Sequence, residues 1–320
     1  MNQKKKVVII GGGNGGSISI RAMKQYLDHY SISAIIAMSD SGSSSGKLRQ
    51  ELGVLPPGDI LRAILAMSTY EYDLLKRIFY DTRYSEKGKL QGFGVGHLFL
   101  ALVEKYNGGI IDAIRALAQA VDAVGPVFPV TLESSDLCVE LTNGEIVKGE
   151  HEIDRPRWGR SIKIQRAWLQ PDVEMYDRAR REILTADVII IGPGSFYTSI
   201  VATLLPQGMK EALAATHAKL IFISGNGVEL NGETGPTSTS ELVEILSTYL
   251  PRTPDVVISN TAELDSVQQA FYQEKGWGRI CIDSEKISLP IISQPFELPG
   301  GGLDPLALGV LIHEYIERSV

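Results

Sequence analysis

Short apolar runs that end in glycine or small polar residues recur along the chain. Residues 7–10 are Val-Val-Ile-Ile, residues 188–191 are Val-Ile-Ile-Ile, and similar runs occupy 32–38, 220–223 and 256–258. Continuous β-branched runs of this length are typical of strands that are buried on both faces of a parallel sheet. Helical segments such as 17–29 and 306–318 alternate with them. The pattern predicts an α/β fold built on a doubly wound, mostly parallel sheet.

Two segments interrupt this alternation. Residues 59–122 lack strand-like runs, and their apolar spacing predicts a helical insertion. Residues 126–150 favour short strands, and the Thr-Asn-Gly-Glu at 142–145 is typical of a hairpin turn, so we expect a small β excursion there. The Pro- and Gly-rich residues 290–305 predict a covering loop. Because no repeat or linker divides the chain, the sequence predicts one domain over residues 1–320.

Composition narrows the class of protein. The 320 residues include 31 Lys and Arg against 38 Asp and Glu, which gives a net charge of −7 and disfavours a nucleic-acid partner. The two cysteines, Cys138 and Cys281, suit a reducing cytosol. The apolar run after the N-terminal lysines is too short for a signal peptide, and no run reaches the thickness of a bilayer. We therefore expect a cytoplasmic protein with no membrane partner.

A glycine-rich segment follows the first predicted strand. Residues 11–16 match the G-x-G-x-x-G pattern between a strand and a helix. Glycines let backbone amides approach a phosphate, and the helix N-terminus adds partial positive charge. A tight turn without a ligand is the alternative. The phosphate-binding interpretation assigns this role to Gly11, Gly12, Gly13, Asn14 and Gly15.

A serine-rich segment follows the second predicted strand. Asp40 stands where dinucleotide-binding proteins hold a ribose, so an NAD ligand stays open. Asp40 and Asp59 can also hold Mg²⁺ together with phosphate oxygens, although Asp59 can instead be a helix N-cap. The hydroxyls, amides and cations between them suit an anion. The candidate phosphate contacts here are Gly42, Ser43, Ser44, Ser45, Lys47 and Arg49.

The same arrangement recurs after the strand at 188–191. Two such loops at the carboxyl ends of strands in one sheet indicate a nucleotide crevice at a topological switch point. A Ser-His hydrolase is disfavoured because the Gly-x-Ser-x-Gly pattern is incomplete. Asn226 and Asn260 follow the next two strands and are assigned to the sugar or base. The phosphate contacts assigned to this loop are Gly192, Gly194, Ser195, Tyr197 and Thr198.

Several of these blocks together resemble one known group. The glycines at 11–15, the Pro-Pro-Gly-Asp at 56–59, the Gly-Pro-Gly-Ser-Phe-Tyr-Thr-Ser at 192–199 and the Gly-Glu-Thr at 232–234 are similar to those of YvcK-type gluconeogenesis factors. These belong to the CofD superfamily, whose enzymes transfer 2-phospho-L-lactate onto a deazaflavin. The resemblance runs from residue 7 to about 262. It implies a Rossmann-like fold, a homodimer and a nucleotide-type ligand across the strand ends.

The resemblance implies two functions. The first is a non-enzymatic regulatory protein that binds a nucleotide or a nucleotide sugar such as UDP-N-acetylglucosamine and supports gluconeogenic growth, cell-wall synthesis and cell shape. The second is a transferase of the 2-phospho-L-lactate type with Mg²⁺ held by Asp40 and Asp59. An NAD-binding protein is the third alternative. Because the sequence shows no pattern of an activated nucleophile, we expect the non-enzymatic regulatory protein.

This chain departs from the family pattern at several positions. The family has an aspartate, an asparagine, a tyrosine and an arginine where this chain has Ser41, His97, Thr237 and Gly302. Loss of a second carboxylate weakens a metal site, and loss of an aromatic residue and an arginine weakens base stacking and diphosphate pairing. These departures leave the identity of the ligand open.

Overall fold

The structure is a computed structural model that describes residues 4–85 and 91–319. Its strands are β1 Lys5–Gly11, β2 Tyr30–Ile36, β3 Val127–Pro129, β4 Asp136–Leu141, β5 Ile146–Lys148, β6 Ile164–Gln170, β7 Val188–Ile191, β8 Lys219–Ile223, β9 Gly227–Glu229, β10 Val256–Asn260, β11 Trp277–Arg279 and β12 Ile291–Gln294.

Helices lie between most of these strands. They are α1 Gly13–Met23, α2 Ser43–Leu52, α3 Gly58–Met67, α4 Tyr72–Leu75, α5 Val95–Asn107, α6 Ile110–Ala120, α7 Glu150–Asp154, α8 Asp177–Leu184, α9 Ala202–Leu204, α10 Met209–Ala215, α11 Thr239–Tyr249, α12 Ser266–Lys275 and α13 Pro305–Ser319. Wider π turns occupy Lys76–Asp81 and Phe196–Val201. Within the described ranges, none of the helices is long and apolar enough to cross a membrane.

A seven-stranded sheet forms the centre of the fold. Its order is β12-β10-β8-β7-β1-β2-β3, and every neighbouring pair is parallel. The apolar run of β1 is fully buried because helices cover both faces of the sheet. The predicted α/β fold with a doubly wound, Rossmann-like sheet is confirmed.

The strand order places a topological switch point between β1 and β7. From β1 the chain builds outward through β2 to β3, and it then returns to the other side of β1 to continue through β7, β8, β10 and β12. The connections after β1 and β7 therefore diverge at the carboxyl edge of the sheet. Such divergence opens a crevice where ligands bind in folds of this class.

The two interruptions predicted in the alternation are present, with different bounds. Helices α3 to α6 lie between β2 and β3, as the helical insertion predicts. The β excursion is an antiparallel sheet of order β5-β4-β6 that extends to Gln170, and β3 belongs to the central sheet. The excursion was thus placed too early at 126–150. Its hairpin turn is confirmed, since β4 and β5 pair antiparallel across it and the Gly144 amide donates to the Leu141 carbonyl at 2.8 Å.

The Pro- and Gly-rich segment is not entirely a loop. Within residues 290–305, β12 adds a parallel edge strand to β10, with Val257 opposite Ile291. This strand is too short and too close to prolines to give a periodic signal. The small antiparallel pair of β9 and β11 was also missed, because each strand has only three residues.

Helix α1 packs closely against the loop after β7. A Cβ on Gly15 would lie 2.2 Å from the carbonyl oxygen of Pro193, so this position has no room for any side chain. Ser19 Oγ donates to the Gly192 carbonyl at 2.6 Å. The two glycine-rich loops are therefore held against each other by backbone contact.

This contact generates a prediction for two adjacent glycines in α1. Alanine normally stabilises a helix interior relative to glycine by about 1 kcal/mol. We expect Gly16→Ala to be neutral or stabilising, because the nearest atom to a Cβ there is 3.8 Å away. Gly15→Ala should instead lower the free energy of unfolding by about 1–3 kcal/mol through overpacking. Urea denaturation of both variants tests this, and equal effects would contradict it.

Candidate functional site

A cleft of about 480 Å³ opens at the carboxyl ends of β1 and β7. It lies at the switch point, where the two glycine-rich loops meet. The structure brings most of the candidate residues from the sequence together around it. Those that line the cleft are Gly12, Gly13, Asn14, Gly15, Asp40, Gly42, Ser44, Ser45, Asp59, Gly194, Ser195, Thr198 and Asn226.

The first glycine loop presents the N-terminus of α1 to the cleft. Gly12 is the N-cap residue and supplies no side-chain cap, and Gly11 and Gly13 have positive φ angles of 152° and 61°. The amides of Asn14 and Gly15 have no partner among the described residues. They are free donors at the positive end of a helix dipole.

The serine-rich loop surrounds Asp40. The Gly42 amide donates to Asp40 Oδ1 at 2.8 Å, and the Gly58 amide donates to Ser45 Oγ at 3.2 Å. A Cβ on Gly58 would lie 2.7 Å from Asp40 Oδ2, so α3 starts directly against this carboxylate. The loop thus fixes Asp40 next to the start of α3. Ser43 begins α2, and its side chain lies outside what the structure describes.

Asp59 is inside α3 rather than at its N-cap. The N-cap residue is Pro57, and the Asp59 carboxylate reaches over the first glycine loop, where a Cβ on Gly12 would lie 2.4 Å from its Oδ2. Burial raises the pKa of Asp59 to about 6, the charge of Asp40 adds to this shift, and Arg62 opposes it. The N-cap alternative is therefore wrong, and the two predicted metal ligands are neighbours.

Arg62 is a cleft residue that the sequence reasoning missed. Its Nη1 donates to Asp59 Oδ1 at 3.1 Å, and its guanidinium stacks 4.3 Å above the Tyr80 ring and bonds the Tyr80 hydroxyl. Its Nε is buried without a hydrogen-bond partner among the described residues. The spacing of Asp59 and Arg62, three residues apart on a helix, is the signal that could have found it.

Glu150 is a second missed residue, and it comes from the β excursion. The Ser41 amide donates to Glu150 Oε2 at 3.3 Å, and the His151 amide donates to Ser41 Oγ at 3.0 Å. Burial raises the pKa of Glu150 to about 9, and the carboxylates of Asp40, Asp154 and Asp59 add to the shift. No local pattern could have indicated it, because Glu150 is more than a hundred residues from Asp40.

Asp40 and Asp59 are the carboxylates that would hold Mg²⁺, together with phosphate oxygens of a ligand. Across residues 4–85 and 91–319 there is no group of three or more Asp, Glu, His or Cys side chains arranged to hold a metal ion. Asp40 and Asp59 remain as a pair, which is the number that proteins use when substrate phosphates complete the coordination. The residues therefore fit Mg²⁺ that arrives with a phosphate ligand better than Mg²⁺ alone.

The carboxylate of Glu233 binds backbone amides of the second glycine loop. Its carboxylate accepts the amides of Phe196, Tyr197 and Thr198, at 3.0 Å from Tyr197 and 3.1 Å from Thr198. Burial raises its pKa to about 7, and these three N–H groups oppose the shift. The amides expected to receive a phosphate are thus paired within the chain. No sequence signal other than the Gly-Glu-Thr block pointed to Glu233.

Five of the predicted phosphate contacts lie away from the cleft wall. Tyr197 is fully buried and its hydroxyl donates to the Ile164 carbonyl, so its side chain belongs to the core. Arg49 is bound to Asp136 at 3.0 Å, because α2 turns this face toward β4. Lys47 is exposed on the other side of α2. Gly11 and Gly192 are buried at the starts of the two loops and do not line the cleft.

The two asparagines differ in position. Asn226 lines the cleft, whereas Asn260 is buried behind it, where its Oδ1 accepts the amides of Ala262 and Phe296. Both Nδ2 groups donate to Glu297 Oε2. The assignment of Asn260 to a ligand is corrected, because its amide is consumed within the fold.

His97 lines the cleft but stays neutral. Burial lowers its pKa to about 3, and the charges of Arg83 and Arg62 add to the effect. Its ring lies 4.9 Å from the Tyr80 ring, and only 1% of its surface is exposed. A neutral, packed imidazole of this kind is a structural residue of the cleft wall.

Comparisons with known proteins show the family of the chain and agree with its fold. The family model described as 2-phospho-L-lactate transferase CofD matches residues 7–296. A protein named gluconeogenesis factor from Halalkalibacterium halodurans is 33% identical over 89% of this chain and 86% of its own length. A protein of the same name from Bacillus subtilis is 33% identical over 86% of this chain and 84% of its own length. A crystal structure of a UPF0052 family member from Bacillus halodurans superposes with a TM-score of 0.88 at 30% identity, and covers 98% of this chain and all of that one.

The raised pKa of Glu150 predicts a pH-dependent stability. A carboxyl whose pKa is higher in the folded than in the unfolded chain stabilises most below about pH 4, and this contribution is lost as pH rises towards 9. We expect the free energy of unfolding of the wild type to decrease from about pH 4 to pH 9. In Glu150→Gln this decrease should be smaller, because the variant has no carboxyl to ionise at this position. Glu152→Gln, which removes an exposed carboxylate from the same helix, is the control. Identical pH profiles for the two variants would contradict the prediction.

The amides bound by Glu233 predict a large effect of its removal. Glu233→Ala leaves three backbone donors unpaired in a buried loop, so we expect the free energy of unfolding to fall by about 1–3 kcal/mol. Glu241→Ala is the matched control, because Glu241 accepts the single exposed amide of Thr237 at 2.8 Å. Chemical denaturation compares them. A loss at position 233 no greater than at position 241 would show that these bonds contribute little.

Proposed function

The chain belongs to the CofD family, and on that basis we propose that it is a regulatory protein that binds a nucleotide or a nucleotide sugar. The ligand we propose is of the UDP-N-acetylglucosamine type. The physiological role that we propose is support of gluconeogenic growth, cell-wall synthesis and cell shape. We also propose that the protein works in the cytoplasm as a homodimer, as the family resemblance implies.

The free amides at the start of α1 carry this proposal. The amides of Asn14 and Gly15 line the cleft at the switch point and have no partner among the described residues, whereas Glu233 takes the amides of residues 196–198 in the second loop. The amides of Gly194 and Ser195 are also unpaired within that part of the chain, but those of the first loop have in addition the dipole of the eleven-residue α1 behind them, so we assign the phosphates of the ligand to the first loop. Its sugar or base then extends towards β8, where Asn226 lines the cleft.

The charge of the cleft supports a requirement for Mg²⁺. Burial raises the pKa of Asp59 and of Glu150, the neighbouring carboxylate charges add to both shifts, and Arg62 is already engaged by Asp59. A diphosphate would add negative charge to this group. A divalent cation between the phosphates and the pair Asp40 and Asp59 removes that repulsion.

A Mg²⁺-dependent transferase is the second candidate function. The description of the matching family model favours it, as does the pair of carboxylates. Phosphoryl-type transfer relies on positioning and charge neutralisation, so it does not require an activated nucleophile from the protein. The nicotinamide alternative is weaker, because Asp59 and Glu150 beside Asp40 favour a cation there over a ribose.

Thermal unfolding with a panel of ligands tests the binding proposal. UDP-N-acetylglucosamine, UDP, GDP and NAD are each added with and without Mg²⁺. We expect the first to raise Tm only with Mg²⁺, and a concentration of 100 Kd stabilises the folded state by about 2.7 kcal/mol. The absence of a shift with every ligand in the panel would overturn the proposal.

A matched pair of variants tests the metal assignment. Asp59→Asn should abolish the Mg²⁺-dependent part of the Tm shift, since it removes one of two proposed ligands. Asp112→Asn is the control, because Asp112 also pairs with an arginine three residues later on a helix but is exposed and distant from the cleft. If both variants keep the shift, Asp59 does not hold the metal.

Phosphorus NMR separates the two candidate functions. UDP-N-acetylglucosamine is incubated with the protein, Mg²⁺ and no other substrate, and also with 2-phospho-L-lactate. A binding protein leaves the diphosphate signals unchanged over hours. New phosphorus signals that appear with the wild-type protein and not with Asp59→Asn would favour the transferase.

A further inference from the structure

Asn226 presents one defined side of its amide to the cleft. It follows β8 and lines the cleft, and its Nδ2 donates to Glu297 Oε2 at 2.9 Å. Glu297 lies in the segment between β12 and α13 and is not part of the cleft wall. Glu297, which lies outside the cleft wall, is therefore hydrogen-bonded to Asn226, which lies in it.

Glu297 is saturated with donors. Its Oε2 also accepts Asn260 Nδ2 at 2.6 Å and the Tyr272 hydroxyl at 3.3 Å, and its Oε1 accepts the Gly302 amide. An ionised carboxylate accepts hydrogen bonds and donates none. Each asparagine must therefore turn its nitrogen towards Glu297.

This requirement fixes the direction of both carbonyl oxygens. The Oδ1 of Asn260 accepts the amides of Ala262 and Phe296 at 3.1 Å and 2.9 Å, so that amide is fully used. The Oδ1 of Asn226 has no hydrogen-bond partner among residues 4–85 and 91–319. It is an acceptor on the wall of the cleft that the fold leaves open.

We propose that Glu297 is a positioning residue that locks the amide of Asn226, so that the Oδ1 of Asn226 selects a hydroxyl or N–H donor on the ligand. This inference rests on the proposed function, because it concerns the sugar or base of the same ligand. A phosphate oxygen at this point would face an acceptor and be rejected. A sugar hydroxyl supplies the required donor.

The position of Asn226 fits a sugar beyond a diphosphate. Strand β8 is two strands away from β1, which is about 10 Å at the usual spacing between strands. Phosphates at the first glycine loop are thus separated from Asn226 by a distance that a diphosphate and the start of a sugar ring can span. The donor selected at Asn226 is therefore a hydroxyl of this sugar.

A double-mutant cycle tests the coupling between the two residues. UDP-N-acetylglucosamine with Mg²⁺ is the probe, and calorimetry gives Kd. We expect Asn226→Ala and Glu297→Ala each to raise Kd about tenfold, and the double variant to raise it no further, because Glu297 acts through Asn226. Glu297→Gln should keep most of the affinity, since its amide oxygen still accepts from Nδ2. Additive effects would overturn the proposal.

Two controls separate positioning from a merely structural role. Asn231→Ala removes an exposed asparagine that does not line the cleft and should leave Kd unchanged. A second control uses analogues of the probe that each lack one ribose or hexose hydroxyl. We expect one of these analogues to bind the wild type several-fold more weakly than the full probe does. Asn226→Ala should bind that analogue and the full probe with the same affinity. If no analogue distinguishes the two proteins, Asn226 does not select a donor.

A measurement without ligand keeps this inference distinct from the proposed function. If the wild type does not bind the probe, the proposed function fails, and the side-chain amide signals of Asn226 decide the positioning claim. They are assigned by their loss in Asn226→Ala. We expect one Nδ2 proton to be shifted downfield and protected from exchange in the wild type and in Glu297→Gln, and not in Glu297→Ala. No change in Glu297→Ala would overturn the positioning role.

Discussion

The parallel pairing of β1 with β2 on one side and β7 on the other is the constraint on which the site depends. β1 occupies the point where the sheet changes direction, with Val7 opposite Ile32 in β2 and opposite Val188 in β7. This register brings the loops after all three strands to one edge. The cleft exists because the connections diverge there, and its floor is rigid because all three strands are buried.

Carboxylates from distant segments then decide which donors of this edge remain available. Glu233 takes the amides at 196–198, Glu150 takes the Ser41 amide, and Glu297 takes the side-chain amides of two asparagines. Each satisfies buried N–H groups that would otherwise cost free energy. Donors and acceptors on the cleft wall that the described residues leave unpaired, among them the amides of Asn14 and Gly15 and the Oδ1 of Asn226, remain available to a ligand.

Local patterns were sufficient for the fold and for part of the cleft. Buried runs such as 7–10 and 188–191, and the glycines after them, indicate strands and close backbone approach without knowledge of the tertiary structure. Contacts across the chain were not predictable. Glu150 reaches Asp40 through the register of a small β sheet, and Arg49 is turned towards Asp136 by the packing of α2, so neither position follows from spacing alone.

The crowding of Asp40, Asp59 and Glu150 connects ligand binding to protonation. Like charges repel one another more strongly where water is scarce, so this group favours partial neutralisation. A proton on Glu150 is one way, and its raised pKa expresses that preference. A divalent cation that enters with a phosphate is the other, and it favours ionised carboxylates. If the proposed ligand binds with such a cation, proton and cation compete for the same negative charge, and ligand affinity then depends on pH even where backbone amides hold the phosphates.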